Sequence, residues 1–185
     1  MSLGNLQPGC SVAVVGAGII GLGVLQAALA MGADQVHVAD PLEENRRLAA
    51  QFGATTVVPY ASDLLAQLRD LSSQPRVVFE CSGHKAALDQ CLSLVRPSGL
   101  LVIVGVPHPD VIDFDTRVPR RNELHFVFSR RYTRETIKDA VRLVGEGKVN
   151  LRDYPVRLFS LDEAPEAFRL ANEKPVGMLR AIVMM

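Results

Sequence analysis

The sequence has no net charge, three cysteines, and no lysine or arginine before Arg46. Each shortage excludes something. Twenty Lys plus Arg against twenty Asp plus Glu leave no overall attraction toward nucleic acid or an anionic membrane surface. Cys10, Cys81 and Cys91 are too few and too irregularly spaced for a disulfide framework or a Cys-x-x-Cys zinc knuckle. Their odd number fits a reducing compartment, so a cytoplasmic location is expected. The missing basic residues ahead of Arg46 remove the n-region of a signal peptide and the flank of a positive-inside span. This bears on Val12 to Ala33, where Gln26 is the only polar residue over a length that suits a bilayer. Five glycines interrupt that run, which reads instead as a buried strand, a turn and a buried helix. There is also no Gly-x-Ser-x-Gly elbow, no Walker lysine, no nucleophile set beside a base, and no internal repeat.

What is present is an alternation. At 185 residues and 48% apolar composition, the chain has length for one domain and part of a second, at roughly 150 residues per domain. Runs rich in Val and Ile suggest strands at Ser11 to Val15, Gln35 to Ala39, Thr56 to Val58, Arg76 to Phe79, Leu100 to Val104 and Leu124 to Phe128. Segments of helical period lie at Ile19 to Met31, Glu43 to Phe52, Ser62 to Leu71, Lys85 to Val95 and Arg134 to Gly145. The strands do not alternate with polar residues, so both their faces are covered. That implies an α/β fold with a doubly wound, parallel, six-stranded sheet, a Rossmann fold, whose ligands bind beyond the carboxyl ends of the strands. After Lys148 the rhythm changes to a strand near Pro155 to Phe159, a helix opened by Ser160 with Glu163 as a capping box, and a strand from Leu179 to Met184. The expected division is a sheet domain over 1–131 and a C-terminal helix and tail over 132–185. The tail has little of its own to pack against.

The strongest chemical signal is Gly16-Ala17-Gly18-Ile19-Ile20-Gly21, directly after a strand and opening a helix. Gly16 permits a tight turn, Gly18 lets a pyrophosphate approach the backbone, and Gly21 lets helix and strand pack closely. Ile19 and Ile20 begin the helix whose unpaired N–H groups and positive dipole end face the phosphates. Asp40, nineteen residues after Gly21 at the end of the second strand, can accept hydrogen bonds from an adenosine ribose. A carboxylate there repels a 2′-phosphate, favouring NAD over NADP; Arg46 and Arg47 leave NADP as the lesser option. Asp40 ahead of Pro41, with Glu43 three residues on, also makes a respectable helix N-cap. The fourth and fifth strands end in Glu80-Cys81-Ser82-Gly83 and Gly105-Val106-Pro107, small or polar residues that leave room for a ligand.

Metal binding by this chain is not expected. Cys81, His84 and Cys91 invite it, but three ligands must converge on an open position and Cys91 lies inside a helix. His37 and His125 read as satisfied core or sheet-edge residues, and His108 as a solvated loop residue. Arg117, Arg120, Arg121, Arg130, Arg131 and Arg134 form the only basic cluster, a solvated face or subunit contact by default, able to meet an anionic substrate or phosphate.

With these residues in place, the chain resembles the second half of the medium-chain, zinc-type alcohol and polyol dehydrogenases, from about Pro8 to its end. The likeness rests on Pro8-Gly9 and Val12 to Gly18, Gly32-Ala33, Asp40, and Phe52-Gly53-Ala54. It continues through Phe79 to Gly83, Arg96-Pro97-Ser98-Gly99, Val104 to Pro107, and Glu163 to Phe168. The resemblance implies that Ser82 and Gly83 border the adenosine side of the cofactor, that Val104, Gly105 and Val106 line the nicotinamide ribose, and that Arg180 reaches the pyrophosphate. It places the catalytic zinc and proton relay in an N-terminal domain absent from this sequence, so no turnover by this chain alone is expected. It further implies exposed apolar surface after Arg131, with self-association, and a homodimer through the edge of the sixth strand. A stand-alone nucleotide-binding sensor and an S-adenosylmethionine methyltransferase are the rival readings; Gly21 and the run through Pro107 argue against the latter.

Overall fold

The computed structural model describes residues 6–60, 74–107, 111–173, 175 and 177–185. The apolar run after Val12 breaks where its glycines allow: strand β1 (Ser11–Val15) ends at Gly16, whose φ of +96° turns the chain into helix α1 (Ile19–Ala30). Among the described residues, no helix is long and apolar enough to cross a membrane. The alternation continues through β2 (Gln35–Asp40), α2 (Glu43–Gln51), β3 (Thr56–Pro59), β4 (Val77–Glu80) and α3 (Lys85–Leu94). It then runs through β5 (Leu100–Ile103), α4 (Arg117–Arg121), β6 (His125–Phe128) and α5 (Arg134–Gly145). The helix expected over Ser62 to Leu71 lies outside the described residues.

The six strands form one sheet in the order β3-β2-β1-β4-β5-β6. Every pairing is parallel. The chain starts in the middle, winds outward to β3, then crosses to β4 and winds the other way. The strand order therefore reverses between β1 and β4, where a doubly wound sheet opens a crevice at its carboxyl edge. Central strands β1, β2 and β4 are buried almost throughout, the physical reason that their Val-rich sequences do not alternate. Ala13, Val15, Val78, Leu101 and Ile103 meet Ala87, Leu88, Cys91 and Leu94 of α3 in the main core.

Several element ends move by one residue from expectation, and two differences stand out. Strand β4 sits one residue later than its apolar run suggests and takes in Glu80. Helix α4 carries no apolar period in the sequence to mark it, and Pro119 lies within it. In a single turn the proline is harmless, since the first amides of a helix have no intrahelical acceptor to lose.

By compactness the chain divides after Val149. The expected boundary, after Arg131, would assign α5 to the tail. The first turn of α5 carries a full capping box between Thr133 and Thr136, yet no residue of this helix is buried. Ile137, Val141 and Val144, spaced four and three apart on one stripe, stand open to solvent, as does Tyr132.

In the second unit, β7 (Val156–Phe159) pairs in parallel with β8 (Arg180–Val183), and α6 (Ala164–Glu173) covers them. Phe159, Ala167 and Leu170 make a small core with Met178, Ala181 and Val183, so the tail packs on itself more than its sequence suggests. Leu158 and Phe168 remain 60% and 76% exposed. The amide and hydroxyl of Ser160 both donate to Glu163 Oε2 at 2.8 Å, but α6 begins only at Ala164, so this pair closes the turn leading into the helix.

Candidate functional site

The glycine turn is built by collisions that glycine avoids. A Cβ on Gly21 would lie 1.8 Å from the Gly16 carbonyl oxygen, and one on Gly16 would lie 2.9 Å from the Ser82 amide nitrogen. Gly18 is the opposite case: nothing stands within 4 Å of where its Cβ would be. Gly18 is also the N-cap of α1, where no side chain caps the helix and no acidic residue sits in the first turn. Amide donors and the positive end of a twelve-residue helix thus face open space beside Gly18, Ile19 and Ile20, and Ile20 is itself 55% exposed. The arrangement fits a pyrophosphate: the nook is bare, outward-facing and electropositive.

Asp40, at the end of β2, is buried and accepts three hydrogen bonds. Oδ2 takes the Ala17 amide at 2.7 Å; Oδ1 takes the Leu42 amide at 2.8 Å and the Asn45 side-chain amide at 3.1 Å. The N-cap of α2 is Leu42, so Asp40 acts two residues ahead of the cap by a side-chain turn. A carboxylate has about four acceptor directions. One remains, and the Asn45 amide is the partner a ligand hydroxyl can displace without unmaking the backbone. Both nearby guanidiniums are occupied: Arg46 donates to the carbonyls of Asp40 and Pro41, each at 2.8 Å, and Arg47 to Glu43 at 2.6 Å.

The side chain that sequence reasoning passed over is Glu80. It is 2% exposed, and its Oε1 accepts the Ser82 amide at 2.7 Å, the Ser82 hydroxyl at 2.5 Å and the Gly83 amide at 2.9 Å. Its backbone carbonyl accepts the amides of Val104 and Gly105. A Cβ on Gly105 would fall 2.2 Å from the Gly83 nitrogen and 2.6 Å from Glu80 Oε2, and one on Gly83 would fall 2.5 Å from the Val106 carbonyl oxygen. The ends of β1, β4 and β5 are therefore interlocked backbone against backbone, bringing together Gly16, Gly18, Gly21, Ser82, Gly83, Val104, Gly105 and Val106. A cavity of about 210 Å³ opens beside Glu80, walled by Leu88, Ile103 and Ile112, with His84 and Lys85 among its lining residues. Lys85 itself bonds Asp89 and the Asp113 carbonyl.

Arg180 is exposed on β8 of the second unit. His37 was expected to be satisfied, yet it is 1% exposed and neither ring nitrogen has a hydrogen-bond partner. Burial lowers its pKa below the ordinary imidazole value. His125 is exposed on the edge strand, and His108 lies outside the described residues. Among the described residues, no three His, Cys, Asp or Glu side chains gather as a metal site. Cys91 is fully buried on α3, and burial raises the pKa of its thiol well above the usual value. In the basic cluster, Arg117 pairs with Asp115.

A family model described as Zinc-binding dehydrogenase matches residues 20–146. The chain belongs to the zinc-binding dehydrogenases. The matched region is the cofactor-binding, C-terminal half of such enzymes. Sorbitol dehydrogenase of Bacillus subtilis is 29% identical over 182 residues, which cover 97% of this chain and 51% of that protein. A zinc-binding dehydrogenase of Sinorhizobium meliloti, solved bound to NADP, is 29% identical with a TM-score of 0.87, covering all of this chain and 55% of that one. Acetophenone reductase of Geotrichum candidum, solved with NAD, shares the fold at a TM-score of 0.84 and 23% identity, covering 100% of this chain and 51% of that one. The chain thus spans about half the length of the curated relatives it matches.

Proposed function

We propose that this chain is the nicotinamide-dinucleotide-binding half of an alcohol or polyol dehydrogenase, taking NAD in preference to NADP and without turnover on its own. One observation carries the reading: an uncapped α1 N-terminus beside Gly18, with open space where a side chain would stand. The bound dinucleotide would supply a hydride acceptor or donor. The chain's part is to bind and orient it. Gly16, Gly18, Ile19, Ile20 and Gly21 offer backbone amides and closeness to the pyrophosphate. Asp40 holds the adenosine ribose by exchanging Asn45 for a hydroxyl. Ser82 and Gly83 border the adenosine side and Val104, Gly105 and Val106 the nicotinamide ribose; Arg180, on the second unit, carries a planar fork of donors of the kind that suits phosphate oxygens. The preference for NAD is supported by the Asp40 carboxylate and by the engagement of Arg46 and Arg47 with groups of their own.

Further parts of the reading go with it. The sheet domain is taken as 1–131, with 132–185 as the tail that meets the zinc-bearing half of a complete enzyme, and the catalytic zinc belongs to that half. Strand β6 lies at the sheet edge and is the surface for a homodimer. Three free thiols support a cytoplasmic setting. The partner is the dinucleotide, with neither nucleic acid nor membrane engaged. Titrating the chain with NADH, NADPH and S-adenosylmethionine at one salt concentration, followed by calorimetry, tests this. Saturable NADH binding, tighter than NADPH, is the expected result. No dinucleotide binding, or binding of S-adenosylmethionine alone, overturns it.

A further inference from the structure

Glu80 is an anion in an unusual place. It is buried at the carboxyl end of β4, and among the described residues no cationic side chain pairs with it. Lys85, the nearest lysine in sequence, is committed to Asp89 and Asp113. Leu88, Ile103 and Ile112 wall the neighbouring cavity with apolar side chains, so the charge is screened less on that side than it would be in open solvent. Neighbouring groups feel it: beyond burial, the Glu80 charge raises the pKa of both the Cys81 and Cys91 thiols.

The two carboxylate oxygens face different things. Oε1 is saturated by the Ser82 amide and hydroxyl and the Gly83 amide. Those donors are thereby turned inward, so the β4–α3 turn presents no anion-binding nest of its own. Oε2 is directed at Gly105, and only the missing Cβ of that glycine lets it stand so near the end of β5. No described hydrogen bond consumes it. Its field therefore extends past Gly105 to the stretch that the proposed function assigns to the nicotinamide side.

We propose that Glu80 sets how this site discriminates between the oxidised and the reduced dinucleotide. The inference rests on the proposed function. The oxidised nicotinamide ring carries a positive charge and the reduced ring carries none, so a buried fixed anion near it stabilises the oxidised form selectively. Glu80 thus acts as a positioning residue with an electrostatic effect: one oxygen holds the turn, and the other biases the charge state of the ligand.

The test is a pair of calorimetric titrations, NAD⁺ and NADH, on the 185-residue chain and on Glu80→Gln, with Glu80→Asp as the charge-retaining control. Glu80→Gln keeps the size of the side chain and leaves the backbone bonds to Val104 and Gly105. Its ratio of NAD⁺ to NADH dissociation constants should rise by roughly three- to tenfold. A role confined to shaping the turn would weaken both forms equally. Glu80→Asp should lose affinity for both while keeping the original ratio. If Glu80→Gln fails to fold, the unaltered chain still decides: a ratio set by a buried charge changes less than about twofold as salt rises, whereas one set by surface charges collapses. An unchanged ratio in folded Glu80→Gln, or a strongly salt-dependent ratio in the unaltered chain, overturns the proposal. If the unaltered chain binds neither form, the proposed function fails.

Discussion

The amide of Ala17 donates to Oδ2 of Asp40 at 2.7 Å across twenty-three positions of sequence, joining the glycine turn after β1 to the end of β2. Asp40 is therefore a fastener of the turn as well as the acid that the proposed function sets against the ribose. Asp40→Ala leaves the buried Ala17 amide without its acceptor. It should cost on the order of 3 kcal/mol, read as a lower melting temperature, and weaken NADH roughly tenfold or more. Asn45→Ala separates the roles, because it frees one acceptor direction of Oδ1 while keeping both backbone bonds, from Leu42 to Oδ1 and from Ala17 to Oδ2. NADH affinity in that variant should hold or improve.

Gly18 and Gly21 should respond in opposite ways to the same methyl group. Gly18 has a φ of −68° and open space around it, so Gly18→Ala should fold with an unaltered or slightly higher melting temperature while losing NADH affinity. Gly21→Ala drives a carbon to 1.8 Å from the Gly16 oxygen and should destabilise the fold by at least about 3 kcal/mol. Thermal melts beside NADH titrations distinguish the two.

His37 predicts an acid-sensitive fold. Its pKa in the folded chain lies below the ordinary value of about 6.5 because burial disfavours the imidazolium. As pH falls through that ordinary value, the unfolded chain binds a proton that the folded chain refuses, so stability drops from there down to the depressed folded value; above it, His37 contributes no pH dependence. His37→Leu removes two unpartnered ring nitrogens and should flatten this limb, with a gain of about 1–3 kcal/mol. Urea melts across the window are the measurement.

The edge of β6 has its own test. His125 and Ser129 donate inward to Gly99 and Ile103 of the β5 region. By strand alternation, the amide of Phe128 points outward, and its ring is 64% exposed. Phe128→Pro removes that donor while leaving the inner ladder whole. Sedimentation velocity should show less dimer than in the unaltered chain, while Val141→Asp, on exposed α5, leaves edge pairing intact.

Much of this was legible in advance because local and global signals agree. Strand β1 and helix α5 occupy the residues their patterns indicate, and the glycines mark the turn that the backbone makes. Glu80 was not legible. At the end of Val77-Val78-Phe79 it looks like the polar stop of a strand, and its importance depends on amides two and three residues on and on a glycine twenty-five residues away. Helix α4 carries no apolar period to mark it. His37 shows a third limit: a strand pattern says that a residue is inside, but not whether its nitrogens find partners there.

Gly16 against Ser82, Gly83 against Val106 and Gly105 against Gly83 leave no slack between three chain segments that are remote in sequence. A disturbance at one is handed to the others, so substitutions here should combine non-additively, and a double-mutant cycle between Gly16 and Gly105 should register coupling although neither glycine has a side chain to touch the other. Redesigning this cleft for a different ligand means altering several loops in concert.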